Sequence, residues 1–186
     1  MPSLTRAEAD TRAATIRVTS IVVHLDLDQG REHFGSRAEI HFEAAGSTAF
    51  LDIRPVRVER IDLNVRSIDP ELIVEGRLPL DELAAVNVLT VAATMAYSRD
   101  GQGLHRSVDP ADGEAYVYGH LFLDAAPTVF ACFDQPDLKA PYVVTVRAPA
   151  GWRVLGNGAA TQGADGLWTL AETAPLATYF VTVCAG

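Results

Sequence analysis

Apolar and polar residues alternate along most of this chain, and this period of two constrains the fold more than any other feature of the sequence. Two segments, IRVTSIVVHLDLD (16–28) and REHFGSRAEIHFEAA (31–45), alternate on either side of a turn around DQG. Successive side chains of a strand point to opposite faces of a sheet. The pattern therefore predicts a hairpin of two half-buried strands, with His24, His33 and His41 on its outer side.

The same alternation recurs in short segments up to the last residues, separated by turns rich in Pro, Gly and Asn. These segments are TAFLDIR, VRVERIDLNVRSI, VLTVAATMAYS, YVVTVRAPAGWRVLGNG, GLWTLAET and ATYFVTVCAG. Many short strands with little helix between them indicate an all-β fold, an antiparallel sandwich or saddle. With 186 residues, the chain is expected to form a single domain over 1–186.

Three segments depart from the alternation. Thr5 and Glu8 have the spacing of a capping box, which predicts a short N-terminal helix running to about Thr15. DELAAVN (81–87) suggests a short helical turn. RDGQGLHRSVDPADGEA (99–115) has the Gly, Asp-Pro and Asp-Gly signals of a long loop, in which His105 is expected to make backbone hydrogen bonds.

Charge and hydropathy exclude several partners. The formal net charge is -9, and the 15 Lys and Arg residues are scattered singly, which argues against a nucleic-acid partner. No apolar run is long enough to span a membrane, and the first residues lack the apolar core of a signal peptide. We therefore expect no membrane partner and a cytoplasmic location.

The two cysteines, Cys132 and Cys184, both lie in apolar, strand-like runs. Buried reduced thiols are the expected state, with a disulfide or a metal pair as the alternatives. CxxC and HExxH motifs are absent from the sequence, and no two histidines have helical spacing. We expect neither a metal nor another cofactor within this chain.

The segment AYVYGHLFLD (115–124) has two apolar faces rather than one. One face is an ordinary core face and holds Val117, Gly119, Leu121 and Leu123. The other is too aromatic for a solvated face and holds Tyr116, Tyr118, His120 and Phe122. Exposed aromatic surface of this kind marks a ligand cleft or a protein contact. The alternative is that the four side chains pack under the 99–115 loop as a second small core.

Several blocks resemble one family. AYSRDG, GLHR–VDP–DGE and above all VFACFDQPDLKA, together with LTRAEADTRA near the start and LATYFVTVCAG at the end, are similar to the N-terminal domain of zinc aminopeptidases of the aminopeptidase N type, in its actinobacterial form. The resemblance covers essentially the whole chain. It implies a β-saddle that caps a thermolysin-like zinc domain, whose GxMEN and HExxH motifs do not occur here.

The resemblance also implies a change of function at one loop. In the family a loop of the form Tyr-Thr-Gln-Phe-Glu-Pro helps to hold the free α-amino group of the substrate. Aligned on VFACFDQP, this sequence keeps Tyr118 but has His120 for the Gln and Phe122 for the Glu. The Thr, Phe and Pro of the family loop are replaced by Gly119, Leu121 and Leu123. A few residues further on, the Arg that is usual in the family is replaced by Thr128. Phenylalanine has neither charge nor acceptor, so recognition of an ammonium group is expected to be lost.

The first functional hypothesis is a repurposed, stand-alone domain that binds a small, largely apolar molecule and promotes a metal-free cyclisation or isomerisation. His120 is the candidate acid or base, Tyr116 or Tyr118 the donor to an oxyanion, and Asp124 or Asp134 the group that orients the imidazole. Asp134 is more simply expected to hold its own turn together. The candidate ligand-binding residues are Phe122, Tyr97, His105, Gly119 and Thr128.

The second hypothesis is a non-catalytic interaction module. The surface that meets the zinc domain in the family would dock on a separate zinc-peptidase-like chain, or on a second copy as a homodimer. A third possibility is a domain truncated from a divergent aminopeptidase, with no activity of its own. Under all three hypotheses this chain alone is expected not to hydrolyse peptides.

Overall fold

The computed structural model describes residues 3–186, and strands make up nearly half of them. A helix, α1 (Arg6–Thr15), precedes the strands. The strands are β1 (Ile16–Asp26), β2 (His33–Ala44), β3 (Thr48–Asp52), β4 (Arg57–Leu63), β5 (Arg66–Ser67), β6 (Arg77–Asp81), β7 (Val86–Ala96), β8 (Gly103–Val108), β9 (Ala115–His120), β10 (Tyr142–Arg147), β11 (Val154–Gly156), β12 (Ala160–Gln162), β13 (Leu167–Leu170) and β14 (Val183–Ala185). Short 3₁₀ turns occur at Pro70–Leu72, Ala126–Thr128 and Thr178–Phe180.

The strands form one large and two smaller sheets. The large sheet has the order β12-β13-β10-β1-β2-β7-β4-β5, the second has the order β11-β14-β9-β8, and β3 pairs with β6. All neighbouring strands are antiparallel except β1 and β10. The predicted β1–β2 hairpin is confirmed, with Ile16 opposite Ala44 and Asp26 opposite Gly35. The expected all-β saddle with a short N-terminal helix is therefore confirmed.

The core lies between the large sheet and the four-stranded sheet. Val23 and Val144 on the large sheet face the same tiny void, of about 10 Å³, as Leu104 and Val183 on the small sheet. All four side chains are buried and belong to one continuous apolar cluster. This packing fixes the inner face of β8, β9 and β14, so their alternate residues point away from the core.

The capping box that begins α1 is present. The Thr5 hydroxyl accepts the Glu8 N–H at 3.3 Å, and the Glu8 carboxylate accepts the Thr5 N–H at 2.8 Å. Arg77 also donates to Glu8, at 2.7 Å. The hydrogen bonds to the Glu8 carboxylate lower its pKa to about 2; the bond from the Thr5 backbone has the largest effect and the bond from Arg77 the next largest.

Arg12 fastens α1 to the rest of the fold. Its side chain is 3% exposed and donates to Asp52 Oδ2 and to Gln135 Oε1, both at 2.9 Å. The guanidinium also donates to the Asp134 carbonyl, at 3.2 Å, and lies 4.6 Å from the Phe50 ring centroid. A charged residue is rarely buried unless it is paired, and here one buried ion pair joins the helix, β3 and the CFDQP turn.

The structure corrects four sequence-based expectations. Six residues of the predicted 99–115 loop form strand β8, which pairs with β9 along its whole length. DELAAVN forms no helical turn; it carries the chain from the end of β6 into β7. β9 ends at His120, so Leu123 lies in the following turn, 60% exposed. Cys184 is exposed, because its side chain is on the outer side of β14, whereas Cys132 is buried as expected.

Within residues 3–186 there is no helix of the length and apolar character that crossing a membrane requires.

Asp134 is expected to make stability depend on pH. Burial raises its pKa to about 6, although the Thr178 hydroxyl donates to its carboxylate at 2.5 Å and opposes the shift. Because the folded pKa lies above the ordinary value of 3.8, this group favours folding below about pH 4 and loses that contribution as the pH rises through 6. Relative to Asp134→Asn, the wild type should lose up to about 2 kcal/mol of unfolding free energy between pH 4.5 and 6.5.

Urea unfolding of both proteins across this pH range checks the difference. Taking the difference removes the contributions of Glu8 and His24, which are common to both proteins. Asp137→Asn, at an exposed position three residues away, is the matched control and should show no such trend. An Asp134→Asn protein whose stability runs parallel to that of the wild type from pH 4.5 to 6.5 would contradict the assignment.

Candidate functional site: the outer face of the four-stranded sheet

The solvent side of the four-stranded sheet carries a row of side chains that crosses all four strands. Leu155 on β11 lies opposite Cys184 on β14, Cys184 opposite Tyr118 on β9, and Tyr118 opposite His105 on β8. Directly opposed residues share a face, and Tyr116 and His120 lie on the same face because they are two residues from Tyr118. We call these six residues the outer face.

The outer face is open rather than sealed. Leu155 is 67% exposed, and Tyr116 and Tyr118 are about 40% exposed. The β8–β9 segment does contact it: the Tyr116 hydroxyl donates to Asp112 Oδ2 at 2.7 Å, and the His105 ring packs on Tyr118 with centroids 4.9 Å apart. These contacts orient the tyrosines without covering them, so the rings do not form a second small core.

Three further rings lie beside the outer face. Phe122 contacts Tyr179 edge-on with centroids 5.6 Å apart, and Tyr179 packs on Phe180 at 4.4 Å. Phe122 is 52% exposed and Phe180 is 56% exposed. We call these three residues the aromatic cluster. Edge-on ring pairs of this kind are favourable beyond the area that they bury, so the cluster holds the 121–125 turn against the Thr178–Phe180 turn.

His120 is exposed at the end of β9, opposite Gly103. Among residues 3–186 its ring nitrogens have no hydrogen-bond partner, and the Asp124 carboxylate does not bond to it. Asp124 is exposed, and its carbonyl accepts a hydrogen bond from the Arg54 guanidinium. His105 accepts the Gly101 N–H at Nδ1, at 3.1 Å, which is the backbone hydrogen bond expected of it.

The structure places three other candidate residues away from the outer face. Tyr97 lies in the core, 6% exposed, where its hydroxyl donates to the Leu27 carbonyl at 3.3 Å and burial raises its pKa. Gly119 faces inward, and a Cβ there would lie 3.2 Å from the Val183 nitrogen. Thr128 is half-buried, and its hydroxyl donates to the Ala125 carbonyl at 2.7 Å.

The larger clefts lie elsewhere on the molecule. One of about 400 Å³ lies between α1 and β3, one of about 500 Å³ lies beside residues 53–58, one of about 370 Å³ lies at the end of α1 beside residues 43–45, and one of about 330 Å³ lies on the large sheet near His24. Each is lined by residues from outside the outer face. In the described part of the chain no three His, Cys, Asp or Glu side chains are placed to hold a metal ion. His24 and His41 instead bond to Thr145 and Glu39.

Four contributors to this surface escaped the sequence analysis: Leu155, Cys184, Tyr179 and Phe180. The first two join the outer face only through the register of β11, β14 and β9, which a single sequence does not reveal. The alternation in ATYFVTVCAG was the available signal, since it places Cys184 between two buried residues, Val183 and Ala185. The exposed Cys184 thiol is a natural probe of whether this surface is covered, because Cys132 is buried.

Comparison with known proteins identifies two relatives that cover 99% and 80% of the chain. Aminopeptidase N from Streptomyces lividans is 36% identical over 190 residues, covering 99% of this chain and 22% of the relative. Leucine aminopeptidase 2 from Eremothecium gossypii is 27% identical over 158 residues, covering 80% of this chain and 24% of the relative. The chain thus spans less than a quarter of the length of either relative. No protein-family model matches it.

Solved structures share the fold. Leukotriene A4 hydrolase from Saccharomyces cerevisiae superposes with a TM-score of 0.78 and 14% identity, over 94% of this chain and 29% of that chain. The same yeast enzyme in complex with bestatin gives a TM-score of 0.77 at 14% identity. The chain therefore has the fold of the N-terminal domain of the M1 peptidases. In sequence, the chain is homologous to that domain of aminopeptidase N.

Proposed function

We propose that this chain is the non-catalytic recognition and docking domain of an aminopeptidase N-type protein. Its outer face and aromatic cluster pack against the zinc-peptidase catalytic part, on the same polypeptide or on another. The observation that supports this most is the outer face itself, whose exposed apolar side chains run across three strands, whereas the clefts of about 330–500 Å³ described above are lined by residues outside it. A drug-sized ligand needs a concave pocket of about 300–1,000 Å³, whereas a flat apolar face suits a protein surface.

The 120–123 segment gives this domain an altered recognition role. In the family-like arrangement it borders the amino end of the substrate, and here it presents His120 and the exposed Phe122 ring. Neither neutralises an ammonium group as a carboxylate does. The assembled protein should therefore bind a charged amino terminus weakly.

A chimera tests this proposal. The 22% of Streptomyces lividans aminopeptidase N that this chain matches is replaced by this chain. If the domain docks, the chimera should unfold in one transition and hydrolyse aminoacyl anilides, with a KM raised by roughly tenfold to a hundredfold over that of the parent because the ammonium loses a charge-assisted hydrogen bond.

Phe122→Glu in the chimera should lower the KM again. Phe122→Gln should lower it much less, because glutamine is close to glutamate in size but brings no charge, and it serves as the matched control. Two independent unfolding transitions together with complete loss of hydrolysis would refute docking. A KM equal to that of the parent would refute the altered recognition.

A second candidate function is binding of a small, apolar molecule on the same surface, with a metal-free isomerisation or cyclisation. It is favoured by His120, an exposed imidazole without a partner in residues 3–186, two positions from Tyr118. The imidazole would take a proton from one atom of the ligand and return it to another, leaving no net change in composition. Tyr118 is the better-placed donor to an oxyanion, since the Tyr116 hydroxyl already bonds to Asp112.

The neutral dye Nile red is a suitable probe of this second function. Phe122→Glu should weaken binding of the dye at least roughly tenfold, because a carboxylate would be buried without a partner. Val65→Glu, at a fully exposed position in the β4–β5 turn, is the control and should leave binding unchanged. His120→Gln should also leave it unchanged, since the imidazole acts on protons rather than on affinity. Equal affinity in Phe122→Glu would place the dye elsewhere.

A further inference from the structure

The turn between β8 and β9 borders the outer face and is acidic. Asp109, Asp112 and Glu114 are all exposed there. Asp112 is tied to the outer face by the hydrogen bond from Tyr116. The Glu114 N–H and the Tyr116 hydroxyl both donate to Asp112 and hold its pKa below the ordinary range. This turn therefore carries negative charge at the very edge of the apolar surface.

Little positive charge balances it within residues 3–186. None of the ion pairs found there includes Asp109, Asp112 or Glu114. The cation nearest in the ladder is Arg106 on β8, which is half-buried with its guanidinium 5.9 Å from the ring centroid of Tyr97, a core residue. Arg153 pairs through its backbone with Gly186 at the end of the β11–β14 ladder. The chain as a whole has a net charge of -9. The outer face is thus an apolar centre with an acidic rim on the β8–β9 side.

We propose that the surface docking on the outer face carries lysine or arginine residues opposite the 109–114 turn. This inference rests on the proposed docking function and specifies the chemistry of the partner. Interfaces combine an apolar centre with a polar rim, and opposite charges across the rim set orientation and the rate of association. A second copy of this chain is a poorer occupant, because it brings the same acidic turn and the same net charge of -9.

The test measures alkylation of Cys184 by iodoacetamide in the chimera, at low and at high salt. Opening of the interface exposes the thiol, so the alkylation rate reports the open fraction. Raising the salt from 50 to 500 mM should increase that rate roughly threefold to tenfold, because rim charges are screened. The isolated chain, in which Cys184 is always exposed, should show no comparable change.

Asp109→Asn with Glu114→Gln removes two rim charges and should increase the low-salt rate by a similar factor while abolishing most of the salt effect. Asparagine at 109 keeps the bond that Asp109 Oδ1 accepts from the Ala111 N–H. Asp69→Asn with Glu82→Gln, at exposed positions next to β5 and β6, is the matched control and should change neither quantity. If Cys184 is equally protected from alkylation at 50 and 500 mM salt, and equally in the Asp109→Asn, Glu114→Gln variant, the partner has no basic rim but the domain still docks. An unprotected thiol at low salt overturns docking and this inference together.

Discussion

Replacing Arg12 with methionine is expected to destabilise the fold by about 3–5 kcal/mol, the largest effect that we expect from any single change in α1. Methionine keeps the helix propensity and much of the side-chain volume. It leaves the Asp52 carboxylate, itself 5% exposed, buried without its cation. The Gln135 side chain and the Asp134 carbonyl also lose their guanidinium donor. Urea unfolding monitored by far-UV circular dichroism gives the difference.

Two further variants show whether the buried charge is the cause. Arg6 lies on the same helix, but its side chain is 96% exposed and pairs with the exposed Asp10, so Arg6→Met should change stability by less than about 0.5 kcal/mol. Adding Asp52→Leu to Arg12→Met removes the stranded carboxylate and should recover roughly 1–3 kcal/mol. Recovery should be incomplete, because the Asp134 N–H also donates to Asp52. A loss below about 1 kcal/mol in Arg12→Met would show that α1 is not held by this pair.

Leu155→Asp is expected to open the docked interface of the chimera. Leu155 lies on the outer face, 67% exposed in this chain alone. Docking would bury the new carboxylate among apolar groups without a partner, at a cost of about 2 kcal/mol or more. The open fraction, read from alkylation of Cys184, should rise at least roughly 30-fold.

Val65→Asp is the matched control for this change. Val65 is fully exposed in the β4–β5 turn, outside the four-stranded sheet, so the same change in charge should leave the open fraction unaltered. Since Leu155 is the cross-strand neighbour of Cys184, each rate is divided by the rate of the same variant in the isolated chain. If the ratio of the alkylation rate in the chimera to that in the isolated chain is the same with and without Leu155→Asp, the outer face is not part of the interface.

Local patterns predicted much of the fold. The capping box predicted where α1 begins, because its two reciprocal hydrogen bonds involve only Thr5 and Glu8. Period-two alternation gave β1 and β2, since one side of each faces the core. β8 was missed because the Gly and Asp-Pro signals around it dominate a strand of six residues. The strand is stabilised by pairing with β9, which is a tertiary effect.

The candidate site was predictable only in part. Alternation in 115–120 placed Tyr116, Tyr118 and His120 on one side, and the structure shows that side exposed. It also placed Leu123 in the core, wrongly, because β9 ends at His120 and the alternation has no meaning in the turn beyond it. Tyr97 lies in the core because β7 is buried on alternate residues up to Met95 and the chain continues inward. The positions of Leu155 and Cys184 on the outer face depend on strand register, which no local sequence pattern reveals.

The rate of Cys184 alkylation in the isolated chain, compared with that in the chimera at low salt, tests the central claim most directly. Iodoacetamide should modify one thiol in the native isolated chain and two after unfolding, since Cys132 is buried. In the chimera, Cys184 should react at least roughly 100-fold more slowly, as expected for an interface that contributes about 3 kcal/mol. The same rate in both proteins, with the chimera folded, would mean that the outer face stays open to solvent and that this chain does not dock through it.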